Sequence, residues 1–261
     1  MVICADDYGL SEDIDQAILE LCQARRLSAV SCMTLLERCN SGSIARLIWL
    51  VQSVDIGLHL CFSHEQQPLS GDARFGSGKF PTYSQLLRQA LFRRLNPREV
   101  ANEIARQYQL FLDKSGRRPD FIDGHLHTHQ LPGIREALVN FVLKLPPVER
   151  PYIRNTRMNM RNLRMNKLPR FKAGLIGWFG SRMARQLREA GLASNAGFAG
   201  VYDFKMSSNY PWYFPGFMQC LREPSGILVV HPGHNEAWRR QEFTVLQTYP
   251  FLSNQPNRFR L

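Results

Sequence analysis

Short apolar runs alternate along the chain with longer stretches in which apolar residues recur at helical spacing. The apolar runs predict strands at MVICA, LSAVSCMTLL, SVDIGLHL, PDFIDGHLH, PYIR and PSGILVVHPGH. Helices are predicted between them, at about 11–26, 41–52, 83–93, 97–115, 132–144 and 178–190. Because strand-then-helix units repeat, we expect one α/β domain over residues 1–261, with parallel strands and helices outside them.

Three stretches lie outside this pattern. Residues 61–82 form a polar loop with Gly and Pro that is long enough to have a functional role. Residues 155–215 are rich in aromatic side chains, which we expect to build a substrate cleft, the alternative being core or lid packing. After about residue 235 the chain is a weakly patterned tail.

Four short motifs with histidine or acidic residues fall where predicted strands end. They are ADD at 5–7, GLHL at 57–60, DGHLHTH at 123–129 and HPGH at 231–234. All seven histidines lie in or beside the last three motifs. Because the carboxyl ends of parallel strands form the active-site face of α/β folds, we expect the motifs to meet there.

The DGHLHTH motif carries three histidines at two-residue spacing. In an extended strand such residues point to the same side, so we expect His125, His127 and His129 on one face. Two imidazoles at this spacing can bind one metal ion; the alternative is one core histidine and two exposed ones. Asp123 is placed to orient an imidazole as a hydrogen-bond acceptor.

His59 lies in the otherwise apolar run DIGLHL, where a lone histidine is more often part of the core. Combined with His125 and an aspartate, it would complete a site of two imidazoles and one carboxylate. Such a site suits a divalent metal that keeps open positions for water. His64, in the polar loop, is expected at the surface or against a substrate.

The adjacent carboxylates Asp6 and Asp7 repel each other at the end of an apolar strand, which a bound cation would offset. One of them can bind the metal while the other acts as general base on its water; the ordinary alternative is a turn or helix-capping pair. His231 ends the last strand, and its near-neutral pKa would suit protonation of a leaving group. His234 is expected outside the site.

The formal net charge of +11 is concentrated in one segment, since residues 150–188 contain eleven Lys or Arg and no Asp or Glu. We interpret this segment mainly as a solvated basic face, because it has no nucleic-acid-binding motif. The stretch LPRFKAGLIGWFG interleaves basic and apolar residues, which keeps an anionic or membrane-associated substrate open.

The cysteines and the N-terminus indicate a reduced compartment. The six cysteines form no CxxC and no regular spacing, so no disulfide framework is expected. The start MVICADDYG has no basic region followed by a long apolar one, and no run of eighteen apolar residues occurs. We therefore expect no signal peptide, no transmembrane segment and a cytoplasmic location.

Taken together, the four motifs resemble the YdjC-like carbohydrate deacetylases, a family that includes chitooligosaccharide deacetylases and the hopanoid-associated HpnK branch. ADDYGLS corresponds to a strand ending in ADDFG, GLHL to GxHx, DGHLHTH to D-[SG]-H-x-H-x-H, and HPGH to a late HPG. The stretch SRMARQLREAGLASNAGFAG is more similar to the HpnK-like branch. The resemblance covers residues 1 to about 235.

This resemblance implies a distorted, TIM-like (βα) barrel of the deacetylase type with one divalent metal ion, magnesium or zinc. By motif position, Asp7, His59 and His125 would be the metal ligands. Asp6 would be the general base and His231 the general acid. The implied reaction is hydrolysis of an N-acetyl group on an amino sugar, oligosaccharide or glycolipid.

Further residues are assigned to the substrate on the same ground. IRNTR at 153–157 is similar to an arginine-containing segment of the family, so Arg154 or Arg157 is expected to contact substrate or orient Asp6. His127 and Tyr8, which replaces the usual Phe, are assigned to substrate binding. No nucleic-acid partner is expected, whereas a peripheral membrane contact and a homodimer stay open.

Two other functions remain as alternatives. Metal-dependent phosphoesterases also carry DxHxH motifs, and basic residues would suit phosphate, although those motifs usually lie near the N-terminus. A non-catalytic protein that binds nucleic acid or a membrane surface would use the basic segment and hold no metal tightly.

Overall fold

Seven strands form one sheet in the computed structural model, which describes residues 1–50, 54–63, 68–69, 78–158, 170–205, 209–221 and 225–250. The strands are β1 (Val2–Tyr8), β2 (Ala29–Cys32), β3 (Asp55–Leu60), β4 (Phe121–Gly124), β5 (Tyr152–Ile153), β6 (Gly197–Ala199) and β7 (Gly226–Val230). Their order is β5-β4-β3-β2-β1-β7-β6, and every pair is parallel. The carboxyl ends of all the strands therefore meet at one edge of the sheet, as predicted.

The two outermost strands come together without a full strand pairing. Ile153, at the end of β5, forms a parallel bridge with Ser194, just before β6. Beside it the backbone N–H of Asn155 donates to Asn195 Oδ1 at 2.7 Å, and Asn195 Nδ2 donates to the Asn155 carbonyl at 2.9 Å. The sheet is thus curled on itself and joined by side chains, which confirms a distorted (βα) barrel.

Helices connect and cover the strands. They are α1 (Glu12–Gln23), α2 (Ser41–Leu50), α3 (Tyr83–Leu91), α4 (Pro97–Ser115), α5 (Ile134–Lys144), α6 (Arg170–Glu189), α7 (Tyr210–Cys220) and α8 (Ala237–Thr248). The bounds of α4 match the prediction because both ends carry strong signals. The Asn96 side chain accepts the Arg98 N–H, Pro97 opens the helix, and Gly116 ends it in the left-handed region at φ 66°.

The strands are buried along their whole length except at Gly197, the half-buried first residue of β6, as expected for a parallel sheet covered by helices. Apolar side chains fill most of these positions, including Ile3, Val30 and Leu58. Buried charged or imidazole groups occur where strands end, among them Asp6, Asp7, His59 and Asp123. Since burying such groups is costly unless they are paired, their concentration at one edge marks the candidate site.

One strand and two helices of the structure were not predicted from the sequence. β6 was not predicted, because three residues flanked by glycine and alanine give no strand pattern. α7 was missed because it contains Pro211 and Pro215, which argue against a helix. α8 was missed because its buried face carries Arg239 and Glu242, so the apolar periodicity that marks a helix is weak.

Several further expectations are answered in part. The six cysteines are free, as predicted. Within the described ranges no helix is both long enough and apolar enough to cross a membrane. Arg182, Arg185 and Arg188 are exposed on α6, which agrees with a solvated basic face. His64, parts of 61–82 and 155–215, and the tail from 251 lie outside the described residues. The cytoplasmic location, the homodimer and the membrane contact stay predictions.

Candidate active site

The end of β1 turns abruptly at the pair of aspartates. Its register against β2 shifts between Ala5 and Tyr8, and Asp7 has φ 71°. This left-handed conformation is uncommon for residues other than glycine, although aspartate adopts it more readily than most, and strained residues of this kind cluster at active sites. As a result both carboxylates reach the carboxyl edge of the sheet: Asp7 lies toward β3 and the turn after β4, and Asp6 toward Arg154, just beyond β5.

Asp7, His59 and His125 come together although they are far apart in the chain. Each offers one ligand-type atom, and these atoms all lie within 4.8 Å of one another. Asp7 Oδ1 is 3.7 Å from His59 Nε2 and accepts a hydrogen bond from His125 Nδ1 at 3.1 Å. Burial tends to raise the pKa of Asp7, but the hydrogen bond and charge of His125, with Arg239 nearby, bring the pKa well below its ordinary value.

The ring of His59 is oriented by hydrogen bonds on the side facing away from Asp7. Its Nδ1 donates to Asp123 Oδ1 at 2.6 Å, and the Ser31 hydroxyl donates to the same oxygen at 2.5 Å. A histidine that donates through Nδ1 presents the lone pair of Nε2, which is the tautomer a metal ligand needs. The prediction that Asp123 would orient an imidazole therefore holds, and the imidazole is that of His59.

Next to this group lies a second buried cluster, formed by Cys4, Asp6 and Asp123. The guanidinium of Arg154 occupies its centre. Arg154 Nη1 and Nη2 donate to the two oxygens of Asp6, each at 2.7 Å, and Nη1 also lies 2.9 Å from Asp123 Oδ2. Burial tends to lower the pKa of Arg154, but the two carboxylates raise it above its ordinary value. The protein thus provides its own cation for these two carboxylates.

His231, which follows β7, reaches the site from the other side of Asp6. Its Nε2 lies 4.0 Å from Asp6 Oδ2, and Phe204 packs edge-on against its ring. Burial lowers the pKa of His231 to about 4, although Asp7 and Asp6 act in the opposite direction. This shift is away from the near-neutral pKa that the sequence analysis expected, because burial of the imidazole disfavours its charged form.

The arrangement agrees with a comparison against known families. A family model described as YdjC-like protein matches residues 1–253. The chain belongs to the YdjC-like family. Its similarity to the HpnK-like branch stays a prediction.

Curated relatives match about half of the chain. A carbohydrate deacetylase of Xenopus laevis is 32% identical over 147 residues, which cover 52% of this chain and 45% of the relative. A chitooligosaccharide deacetylase of Enterobacter sp. (strain 638) is 29% identical over 147 residues, covering 55% of this chain and 56% of the relative. The chain thus spans about half the length of these relatives.

A solved structure from Enterococcus faecalis V583, provisionally described as a cellobiose-phosphate cleavage protein, shares the fold. It superimposes with a TM-score of 0.70 at 16% identity, covering 95% of this chain and 90% of the other.

The DGHLHTH segment of this YdjC-like chain does not have the extended form that the sequence predicted. β4 ends at Gly124, and His125–Gln130 form a 3-10 turn in which Leu126 and His127 have left-handed φ values of 52° and 59°. The three histidines consequently point to different places. His125 faces Asp7, His127 packs edge-on against Phe198, and His129 is buried with Nε2 donating to the Arg154 carbonyl at 2.8 Å.

The structure places the other residues assigned to substrate binding in different surroundings. Tyr8 is buried in the core, and its hydroxyl donates to the Ser43 carbonyl at 2.9 Å, so its assignment to the cleft is wrong. Of the two arginines, Arg154 is the one that contacts Asp6, whereas Arg157 is exposed. His234 lies outside the site, with Nε2 3.5 Å from Glu20 Oε1.

Sequence reasoning missed three polar residues that contact the site. Ser31 is the next-to-last residue of β2, and the rule that chemistry lies at strand ends could have identified it. Arg239 donates to Asp7 Oδ2 at 3.0 Å, and Glu242 accepts the backbone N–H of His231 at 2.5 Å. No signal pointed to these two, because they lie on a helix that the pattern did not predict.

The donor sets of the two clusters decide which one fits a metal. Asp7, His59 and His125 supply one carboxylate and two imidazoles, and the tautomer of His59 is correct for a ligand. The carboxylates around Arg154 already have a cation at 2.7 to 2.9 Å. The residues present therefore fit one divalent ion, at Asp7.

Proposed function

We propose that this protein is a metal-dependent carbohydrate N-deacetylase, which hydrolyses the N-acetyl group of an amino sugar, oligosaccharide or glycolipid and releases acetate. Membership of the YdjC-like family and the names of the curated relatives support the substrate class. The observation that carries the proposal is the placement of Asp6 and His231 beside the ligand-type cluster of Asp7, His59 and His125. A metal-dependent amide hydrolase needs a cation site, a base and an acid in this proximity.

Asp7, His59 and His125 would hold the ion. Two imidazoles with one carboxylate favour zinc over magnesium, which prefers oxygen ligands. When bound, such an ion supplies Lewis acidity that lowers the pKa of a water molecule and polarises the acetamide carbonyl.

Asp6 is the proposed general base. Arg154 binds both of its oxygens, which fixes the plane of the carboxylate. A carboxylate has about four lone-pair sites, and the Cys4 thiol also donates to Oδ1 at 3.6 Å, so one site on Oδ2 is left to accept the proton of the attacking water. Because the guanidinium also contacts Asp123, the position of Asp6 is tied to the residue that orients His59.

His231 is the proposed general acid. With a pKa of about 4 the imidazole is neutral near pH 7, so it has to gain a proton before it can give one to the departing amine. The proton that Asp6 takes from water is the nearest source, since His231 Nε2 lies 4.0 Å from Asp6 Oδ2. In this scheme the C–O bond forms, the C–N bond breaks, and the water's proton reaches the amine nitrogen through His231.

The rim of the site supplies candidate substrate contacts. Leu126 is half exposed in the turn next to His125, and His127 is partly exposed beside Phe198. Burial lowers the pKa of His127 well below its ordinary value, so the ring is neutral and can exchange hydrogen bonds with sugar hydroxyls. Arg157 is exposed and remains a proposed substrate contact.

Replacing Asp6 tests the function directly. We expect Asp6→Asn to bind zinc as the unmodified protein does and to lose about 10²- to 10⁴-fold in acetate release, because an amide cannot accept the water's proton. Asp113→Asn, an exposed carboxylate on α4, is the matched control. Acetate and phosphate release are measured on acetylated sugars, glycolipids and phosphate esters.

Full acetate release by Asp6→Asn would reject the assigned base. Phosphate release without acetate release by the unmodified protein would favour the phosphoesterase alternative.

A further inference from the structure

Helix α8 carries two buried charged side chains that contact residues of the candidate site. Arg239 and Glu242 are three residues apart, so they share one face of the helix. Arg239 is 6% exposed and Glu242 is fully buried. Burying charged groups is costly unless they are paired. Arg239 Nε donates to Glu236 Oε2 at 2.7 Å within the helix, and further partners of both residues lie at the site.

Arg239 joins Asp7 to the backbone of His231. Its Nη2 donates to Asp7 Oδ2 at 3.0 Å, and its Nη1 donates to the His231 carbonyl at 3.2 Å. Because Oδ2 is held in this way, the other oxygen of Asp7 faces His59 and His125.

The glycine of the HPGH motif makes room for this arginine. A Cβ at Gly233 would lie only 3.0 Å from Arg239 Cδ.

Glu242 holds His231 at its other backbone group. Its Oε2 accepts the N–H of His231 at 2.5 Å, and its Oε1 accepts the hydroxyl of Tyr202 at 2.6 Å. Both the N–H and the carbonyl of His231 are therefore bound by α8, which leaves its ring directed at Asp6.

We propose that Arg239 and Glu242 are positioning residues, through which α8 sets the metal-ligand group of Asp7 and the proton-donating ring of His231 relative to each other. The roles of Asp7 and His231 rest on the proposed function. The contrasting explanation is that the two charged residues only stabilise the packing of α8. The two explanations differ in what happens when His231 is absent and in how tightly zinc binds.

The first experiment is a double-mutant cycle on kcat and KM for acetate release. Glu242→Ala should lower kcat about 10- to 100-fold with little change in KM, and should cause no further loss in a His231→Ala background. Glu242→Gln is the matched control, because its amide oxygen can still accept the His231 N–H and should preserve most of kcat.

Two results would overturn the role of Glu242. One is an equal loss from Glu242→Ala with and without His231. The other is a loss in Glu242→Gln as large as in Glu242→Ala, although the amide keeps the hydrogen bond.

The second experiment needs no substrate and measures zinc chloride binding to the full chain by calorimetry. Arg239→Met should weaken zinc binding about 10- to 100-fold, because the Asp7 carboxylate is free to rotate. Arg239→Lys should recover part of the loss, since an ammonium can donate to Oδ2. Arg240→Met, whose guanidinium donates to the carbonyls of His234 and Asn235, is the matched control.

The sign of the change separates the explanations. Removing a nearby positive charge should by itself strengthen cation binding, so unchanged or tighter zinc binding in Arg239→Met would overturn the positioning role of Arg239. If the unmodified protein binds zinc but releases no acetate, the proposed function fails while the inference on Arg239 and Asp7 is still tested.

Discussion

Two buried clusters of potential metal ligands lie side by side at the edge of the sheet, and they differ in how their negative charge is balanced. Around Cys4, Asp6 and Asp123, the guanidinium of Arg154 occupies the space between the carboxylates. Around Asp7, His59 and His125, the contact with an arginine is one hydrogen bond from Arg239 to Asp7 Oδ2. The other oxygen, Asp7 Oδ1, faces the two imidazoles.

In the first cluster the cation is a side chain of the protein, whereas the second cluster is suited to bind a metal ion. Arg154 is fully buried and donates in a fixed planar geometry, so the carboxylates of its cluster already have a cation. The cluster of Asp7 brings a carboxylate oxygen and two imidazole nitrogens within 4.8 Å of one another, a set of ligand atoms that suits a divalent ion. Asp123 belongs to the first cluster and orients His59 in the second, so the two clusters share a residue that contacts both Arg154 and His59.

The largest effect is expected from removing the internal cation. Arg154→Met leaves Asp6 and Asp123 buried without their partner and should lower the free energy of unfolding by about 3–5 kcal/mol. Urea unfolding monitored by circular dichroism measures the change. Arg157→Met, the same substitution at an exposed position three residues away, should leave the unfolding midpoint almost unchanged. Equal midpoints for the two variants would show that the guanidinium does not stabilise the first cluster.

Removing a ligand of the second cluster should act on metal binding rather than on folding. His125→Ala should weaken zinc binding by more than about 100-fold, since loss of an outer partner alone costs up to that factor. Its unfolding free energy without added metal should change less than that of Arg154→Met, because the ring is partly exposed. Calorimetric titration with zinc is the measurement, with His234→Ala as control. Retained zinc affinity in His125→Ala would remove this residue from the proposed site.

A smaller effect is expected where the two clusters are joined. Ser31→Ala removes the hydroxyl that donates to Asp123 Oδ1 and lies 2.9 Å from His59 Nδ1. The ring keeps its direct bond to Asp123, so we expect about a 10-fold loss in zinc affinity. Ser31→Thr keeps the hydroxyl and tests whether it is the hydrogen bond that matters. A loss in Ser31→Ala as large as in His125→Ala would contradict this order.

Much of the fold could be predicted because local signals and the strand-end rule agree. The strands that carry the motifs are apolar runs, and α4 has clear signals at both ends. Elements were missed where local and tertiary requirements conflict, as in α7 with its internal Pro215 and α8 with Arg239 and Glu242 on its buried face. In those helices the partners that make the residues acceptable lie elsewhere in the chain.

For the site, residue types and strand ends were sufficient to group His59 and His125 with one of the two aspartates, and the family resemblance assigned Asp7 to that group. The proximity of Asp7, His59 and His125 agrees with this assignment. The two-residue alternation of an extended strand did not predict where side chains point in the turns that follow the strands. Neither the left-handed conformation of Asp7 nor the left-handed His127 in the 3-10 turn has a local signal, because surrounding contacts impose both. The same holds for Tyr8, which packs into the core beneath α2.

The sequence by itself determined a parallel α/β fold and the chemical types of groups at its carboxyl edge, because both follow from local periodicity and from where strands stop. Only the tertiary structure decided which carboxylate receives the internal cation Arg154 and which one faces the imidazoles. Charge balance among buried groups depends on distances between residues more than a hundred positions apart in the chain, and no local pattern records those distances.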